Sequence, residues 1–379
     1  MCACPPPTDL GLPPPRPRPA ACVVVPAKDE EDRLPGLVAS LAAQTDGAGR
    51  PLGRDAYEVV VLLNNCRDGS RGALARAGRA HPGLRLRVAE VTLAPHEAHV
   101  GRARQLLLDA ACRRVAPGGL LLTTDADTRV PPDWVASALA EVAAGADLVG
   151  GRVTLDPAER AALPPGVRRL FLLDIGYRRA LEDVRALYAP CAHDPFPRHH
   201  QHFGACLAVT AAAYVRAGGM PAVRSSEDVA LVRAVEGVGG RVRHSYRFRA
   251  ATSARVVGRA EGGLADAIGW WAGRAERGEP VCVESAAAAE WRLARLGRFL
   301  REHPGRPAPP ELLAPPEPPP DADADDIERV LRDLRAAAAR LRPLSLDARL
   351  AAAEVAGAVP GGAAPVPRRP STRRPALAA

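Results

Sequence analysis

A chain of 379 residues with an apolar fraction of 47% can bury one catalytic-sized core plus appendages, and it is too apolar for a disordered protein. Its formal net charge of +8 does not mark a polyanion binder, because half of it sits on Arg368, Arg369, Arg373 and Arg374 at the carboxyl end, so a nucleic-acid partner is not expected. The 8 cysteines form no Cys-x-x-Cys pair and no apolar stretch reaches membrane-spanning length, which points to a reducing cytoplasm and leaves only peripheral contact at the inner face of a membrane open.

Residues 1–20 are proline-rich and read as a disordered leader, since proline removes backbone donors and fixes φ. Order starts at "ACVVVPAKDEEDRLPGLVASLAAQ". There Cys22–Val25 reads as a β-branched strand, Pro26–Asp29 as a turn, and Leu34, Leu37, Val38 and Leu41 recur at helical spacing. "YEVVVLLNN" is a strand apolar throughout, as expected when both faces are covered, and "SRGALARAGRA" is a helix. "LRLRVAEV" and "HVGRARQLLLDAACRRV" repeat the alternation, as do "GLLLTTDAD" and "PPDWVASALAEVAAG", with "ADLVGGRV" as a fifth strand. Such alternation predicts an α/β fold, a Rossmann-like mostly parallel sheet flanked by helices, with ligands beyond the carboxyl ends of the strands.

Downstream, "VRRLFLLDIGYRRALEDV" reads as a helix and "APCAHDPFPRHHQHFG" as an irregular loop; "ACLAVTAAAYVRAGG" and "SSEDVALVRAVEGVGGRVRHSY" return to strands and helices. The expected organisation is a catalytic domain over 21–285 and a C-terminal helical extension over 286–350 containing a proline-rich linker at 304–320. A disordered basic tail is expected over 351–379.

Two sets of acids carry chemistry. Asp125 and Asp127 close an apolar strand one residue apart; left unpaired they repel, so they share a cation or one is protonated. Mg²⁺ or Mn²⁺ suits them, since these hard ions take one or two carboxylates and fill the rest of their shell with water and phosphate oxygens. The plain alternative is a loop aspartate capping the next helix. Glu227 and Asp228 stand in the first turn of a helix that Ser225 or Ser226 can cap, a structural arrangement that also serves a carboxylate general base.

In order, "VVVPAKDEEDRLPGLVASLAAQ", "YEVVVLLNNCRDGS", "VGRARQLLLDAA", "GGLLLTTDADTRVPPDWV", "FGACLAVTAAAYVRAGGM" and "SSEDVALVRAVEGVGGRV" resemble the successive blocks of the family 2 glycosyltransferases over residues 21–250. The resemblance implies the GT-A fold and a metal-dependent, inverting transfer of a sugar from a nucleotide-sugar donor to an acceptor hydroxyl. It implies that Pro26, Asp29 and Glu30 shape the nucleotide pocket, with Asp29 where the family usually has Asn. It puts Asn64 and Asn65 on the Asp-Asp pair that reads the base, a departure from the pattern. Gly101 and Arg104 match the helix near the diphosphate, and Asp125 and Asp127 match the Asp-x-Asp metal motif, Asp127 being the closer ligand. Asp228, next to Glu227, is the implied base. Arg255 and Arg259 could reach the phosphates, and His202 and Gly204 fall where the acceptor side is lined.

The histidine-rich loop 193–202, with Cys191 and Cys206 beside it, reads as structural or solvated histidines, with acceptor contacts or a metal site as alternatives. Trp270 and Trp271 read as helix-packing residues, with a sugar-stacking platform as the alternative. Two rival functions use similar parts. A sugar-phosphate nucleotidyltransferase should carry a glycine-rich phosphate loop after its first strand, and "PAKDEEDRL" has none. A non-catalytic nucleotide-sugar-binding or scaffold protein fits the substituted Asn64 and Asn65. The oligomeric state is not readable from the sequence.

Overall fold

Three consecutive valines, Val23–Val25, form the middle of the first strand, and their alternation decides the architecture. In β1 (Ala21–Ala27) Val23 and Val25 enter one core and Cys22 and Val24 another, so the strand is buried on both faces. The first core is closed by α1 (Leu34–Ala42) through Leu34, Leu37 and Leu41. Next come β2 (Tyr57–Asn64), α2 (Ser70–Ala80) and β3 (Leu86–Val91). Helix α3 (Val100–Arg114) closes the second core with Ala103, Leu106 and Leu107. The computed structural model describes residues 10–15, 17–259, 262–306, 308–314 and 324–357.

Strand β4 (Leu120–Thr123) ends two residues earlier than the sequence pattern suggests: Asp125 and Asp127 lie in the turn that leads into the two-residue strand β5 (Thr128–Arg129). After α4 (Trp134–Ala143) and β6 (Leu148–Leu155), α5 (Pro157–Ala162) and the 24-residue α6 (Pro165–Tyr188) carry the chain away from the sheet. It returns through a 3₁₀ turn at Gly204–Cys206 into β7 (Leu207–Thr210), then α7 (Ala211–Arg216), α8 (Glu227–Gly237) and β8 (Val242–Thr252).

The 8-stranded sheet has the order β3-β2-β1-β4-β7-β6-β8-β5. Around β1 the pairing is parallel, as the alternation predicts. Beyond β4 the pattern changes, because β7 re-enters antiparallel to both β4 and β6, and β5 lies antiparallel to β8. The carboxyl ends of β1, β2, β4, β6 and β8 therefore meet the amino end of β7 along one edge.

The remaining elements are α9 (Leu264–Arg277), β9 (Cys282–Glu284), α10 (Ala286–Glu302), α11 (Pro310–Leu313), β10 (Ala324–Asp326), α12 (Ile327–Leu341) and α13 (Leu346–Gly357). They do not form an extension that starts at 286. Helix α6 packs on α9, α10, α12 and α13, and a third core holds Phe171 and Tyr177 with Trp271, Leu293 and Leu334. The lobe thus takes its central helix from within the segment expected to be purely catalytic. Two further expectations are corrected. The leader is ordered from residue 10, where Leu10 and Leu12 pack on the second core and the Pro17 carbonyl accepts from Arg85. Helix α13 crosses the expected boundary at 351 and reaches Gly357; residues 1–9, 315–323 and 358–379, on which the rest of the leader, linker and tail expectations fall, lie outside the described residues. Among the described residues no helix is long and apolar enough to cross a membrane.

Candidate functional site

The shared edge of strand ends opens onto a cavity of about 310 Å³. Strand β1 delivers Pro26 and the turn after it Lys28 and Glu30, β2 delivers Asn64, and the turn after β4 delivers Asp125 and Asp127. The start of α3 brings His99 and Arg104, and the start of α8 brings Glu227 and Asp228, so two helix amino termini face the same space. The turn before β7 adds Gly204, and the loop after β8 adds Arg255 and Arg259.

Arg104 joins these segments. Its Nε donates to Glu227 Oε1 at 2.9 Å, Nη2 to Asp125 Oδ1 at 2.9 Å, and Nη1 to the Gly204 carbonyl at 3.1 Å and to Thr123 Oγ1. Burial alone would lower its pKa, but Asp125 and Glu227 more than offset that and hold it above its ordinary value. A Cβ on Gly204 would lie 2.6 Å from the Arg104 guanidinium carbon, so a larger residue there would have to push Arg104 aside. The amide of Gly204 donates to Asp228 Oδ2 at 2.8 Å, and Val229 N donates to Oδ1 at 2.8 Å. Burial first, then the neighbouring Glu227, pushes the Asp228 carboxyl up to about 6. Ser226 precedes it in the left-handed region with φ 57° and supplies no side-chain cap, contrary to the expected serine cap.

On the opposite wall Arg255 bridges two acids, with Nη1 donating to Glu30 Oε1 at 2.7 Å and Nη2 lying 3.0 Å from Asp127 Oδ2. Arg259 Nη1 is 3.5 Å from Glu30 Oε1. Thr252 Oγ1 donates to Asp127 Oδ1 at 3.2 Å. Burial, then Asp125, pushes Asp127 up to about 6. The donor set suits a hard divalent ion: it offers carboxylate oxygens only, and Glu30 Oε2 is buried with no hydrogen-bond partner among the described residues.

Four expected residues do not border the cavity. Asp29 and Asn65 are held with φ of 54° and 51° and serve turns. Asp29 Oδ1 accepts from Arg67 N, while the Asn65 amide exchanges hydrogen bonds with the Leu93 backbone at 2.9 and 3.0 Å. Gly101 is a packing position, where a Cβ would meet the Val223 carbonyl at 2.2 Å. His202 holds its ring tilted against that of His244, with centroids 5.8 Å apart, instead of lining the space. The histidine loop does not gather a metal: Cys206 is buried in the first core and accepts from Trp134 Nε1. Among the described residues the group whose ligating atoms gather is Asp29, Cys66 and Asp68, and each is occupied by backbone amides of the two turns it ties together.

The sequence reading missed the other end of the cavity, lined by Phe171, Asp174, Ile175 and Arg178 of α6, His200 and Gln201 of the loop, and Trp271 of α9. The signal was available in α6, where Asp174 and Arg178 interrupt an apolar face at helical spacing.

A half-sheet of parallel strands continued by antiparallel ones, with acids and arginines collected at the carboxyl edge, is the GT-A class of α/β fold. Residues 22–192 match the model described as glycosyl transferase family 2. A search of curated proteins gives no match. Among solved structures the chain is similar to mannosyltransferase PcManGT from Pyrobaculum calidifontis in complex with GDP-Man and Mn²⁺, at 21% identity, over 92% of this chain and 79% of that chain, with a TM-score of 0.45. Glucosyl-3-phosphoglycerate synthase from Mycobacterium tuberculosis, in complex with Mn²⁺, UDP and phosphoglyceric acid, is similar at 17% identity over 70% and 81% of the two chains, with a TM-score of 0.40. For S. aureus TarS 1-349 the values are 17% identity and a TM-score of 0.40, over 62% of this chain and 60% of that one, less than two thirds of its length.

Proposed function

We propose that the protein is a metal-dependent, inverting glycosyltransferase that moves a sugar from a nucleoside-diphosphate sugar to an acceptor hydroxyl. One observation carries this reading: Arg104 ties Asp125 to Glu227, so that Asp127 and Asp228, the acids beside them, border a single cavity. Asp127 with Asp125 would hold Mg²⁺ or Mn²⁺, which when bound neutralises charge on the departing diphosphate. Arg255 and Arg259, paired here with acids, are placed to turn to the phosphates, and the amino ends of α3 and α8 favour an anion between them.

Asp228 serves as the base. Each of its oxygens accepts one backbone N–H and keeps a lone pair, and a carboxyl raised to about 6 is a stronger base than a free aspartate yet ionised at neutral pH. The acceptor hydroxyl gives its proton to Asp228 as its oxygen bonds to the anomeric carbon. The bond from that carbon to the diphosphate breaks on the opposite face, which inverts the anomeric centre.

The test is a screen of nucleotide sugars with Mn²⁺ or Mg²⁺ and with chelator. A nucleoside diphosphate that raises the melting temperature only with metal, and an anomer inverted relative to the donor by NMR, are the expected results. Equal nucleotide affinity in chelator, or no transfer from any donor, would overturn the reading.

A further inference from the structure

The far end of the cavity has groups that the donor reading leaves unused. Helix α6 turns Phe171, Asp174, Ile175 and Arg178 to it, positions three, four and seven apart that share one helix face. Trp271 of α9 is 1% exposed, and its ring meets Phe171 edge-on with centroids 5.5 Å apart. Its Nε1 has no hydrogen-bond partner among the described residues, and neither has the buried Nδ1 of His200. Buried polar atoms are almost always satisfied, so two orphans on one cavity wall point to a ligand.

The charges at this end narrow what that ligand is. Arg178 Nε donates to Asp174 Oδ2 at 3.2 Å, so cation and anion offset each other. Burial, and then Arg178, holds the His200 pKa well below its ordinary value, which leaves the ring neutral. The wall offers an indole donor, an imidazole that donates or accepts, and an ion pair with both capacities, beside two aromatic rings. A carboxylate or phosphate here would compete with Asp174 for Arg178, whereas hydroxyls can bridge the pair without breaking it.

We propose that this end of the cavity binds the acceptor as a neutral polyhydroxylated ring, a sugar or cyclitol, with its apolar face against Phe171 and Trp271 and its hydroxyls on Trp271 Nε1, His200 Nδ1 and the Asp174–Arg178 pair. Calling this ligand the acceptor rests on the glycosyl-transfer reading; the ring-binding site itself does not.

The test is saturation-transfer NMR on the full chain with myo-inositol and methyl α-glucoside against glucuronate and glucose 6-phosphate, each with and without UDP, GDP and Mn²⁺. The neutral rings should bind about tenfold more tightly than the anions, and Trp271→Phe, which removes one donor, should weaken them about tenfold. Asp174→Asn frees the charge of Arg178 and should reverse the order in favour of the anions. Anions binding as well as neutral rings to the unmodified protein, or none of the four binding, would overturn the proposal whatever the variants do. So would folded variants with unchanged affinities. Nucleotide binding measured on the same samples reports on the donor reading separately, so either can fail alone.

Discussion

At the proposed donor end of the cavity the polar side chains are mounted on strand ends and helix starts of one sheet, whereas the far end is walled by two helices that belong to a different core and by a loop bonded to β6 and β8. The first arrangement holds its residues through the hydrogen-bonded ladder of the backbone. The second holds them through side-chain packing and side-chain hydrogen bonds, such as Arg198 to Glu182 at 2.6 Å and His244 with Asp194 at 2.9 Å, which anchor the loop that carries His200. On the proposed reading, chemistry that needs fixed geometry falls on the strand ends, and selection of the second substrate on helices α6 and α9, which pack in a separate core.

The strongest way to separate the two halves is Asp228→Asn. It keeps the shape and one of the two backbone bonds but removes the proposed base, so transfer should fall by about 10²–10⁴-fold. Metal-dependent nucleotide binding should persist. Transfer that survives within a few-fold would show that the base lies elsewhere, and a steady-state assay beside a thermal shift with nucleotide distinguishes the two cases.

Arg104→Ala should act on stability as much as on rate. It strips Glu227, which is 4% exposed, of its only cationic partner among the described residues, and leaving one member of a buried ion pair uncompensated costs about 3–5 kcal/mol. Urea denaturation reads this directly. A loss below about 1 kcal/mol, the range of a surface pair, would mean that the donor half does not depend on this bridge.

Much of the donor half is legible in the sequence for a physical reason. A strand covered on both faces writes a continuous apolar run, and polar residues just past that run must stand at the sheet edge; Glu30, Asn64, Asp125 and Asp127 all follow from this. What does not follow is local conformation and long-range order. Asn64 and Asn65 look equivalent in one dimension, yet only the second enters the left-handed region and turns to Leu93. The antiparallel insertion of β7 depends on the excursion through α6, and the partners of α6 lie more than a hundred residues away in α12 and α13, beyond any periodicity window. The far end of the site therefore stays hidden until the helices are packed.

The pH dependence should run in opposite directions for rate and stability. With the Asp228 carboxyl raised to about 6, the base is lost as pH falls through that value, and transfer should drop about tenfold per unit below it. For stability the sign reverses: a folded pKa above the unfolded value of 3.8 means that the Asp228 contribution is fully present below about 4 and is lost as pH rises through about 6. The difference between urea midpoints at pH 5 and pH 7.5 should accordingly shrink in Asp228→Asn. An unchanged difference would place the titration in another group.

The smallest effect is the most local comparison. Asn64 Oδ1 is buried, lines the cavity and has no hydrogen-bond partner among the described residues, so Asn64→Ala should weaken nucleoside diphosphate binding by about 1 kcal/mol, several-fold in Kd, with little change in melting temperature. Its neighbour should do the reverse. Asn65→Ala removes both bonds to Leu93 and places a residue without a side-chain amide at φ 51°, which lowers the melting temperature and leaves nucleotide affinity intact. If the two variants exchange these signatures, the base is read by Asn65 and the pocket must rearrange on binding, because Asn65 would have to give up both bonds to the Leu93 backbone to reach the cavity.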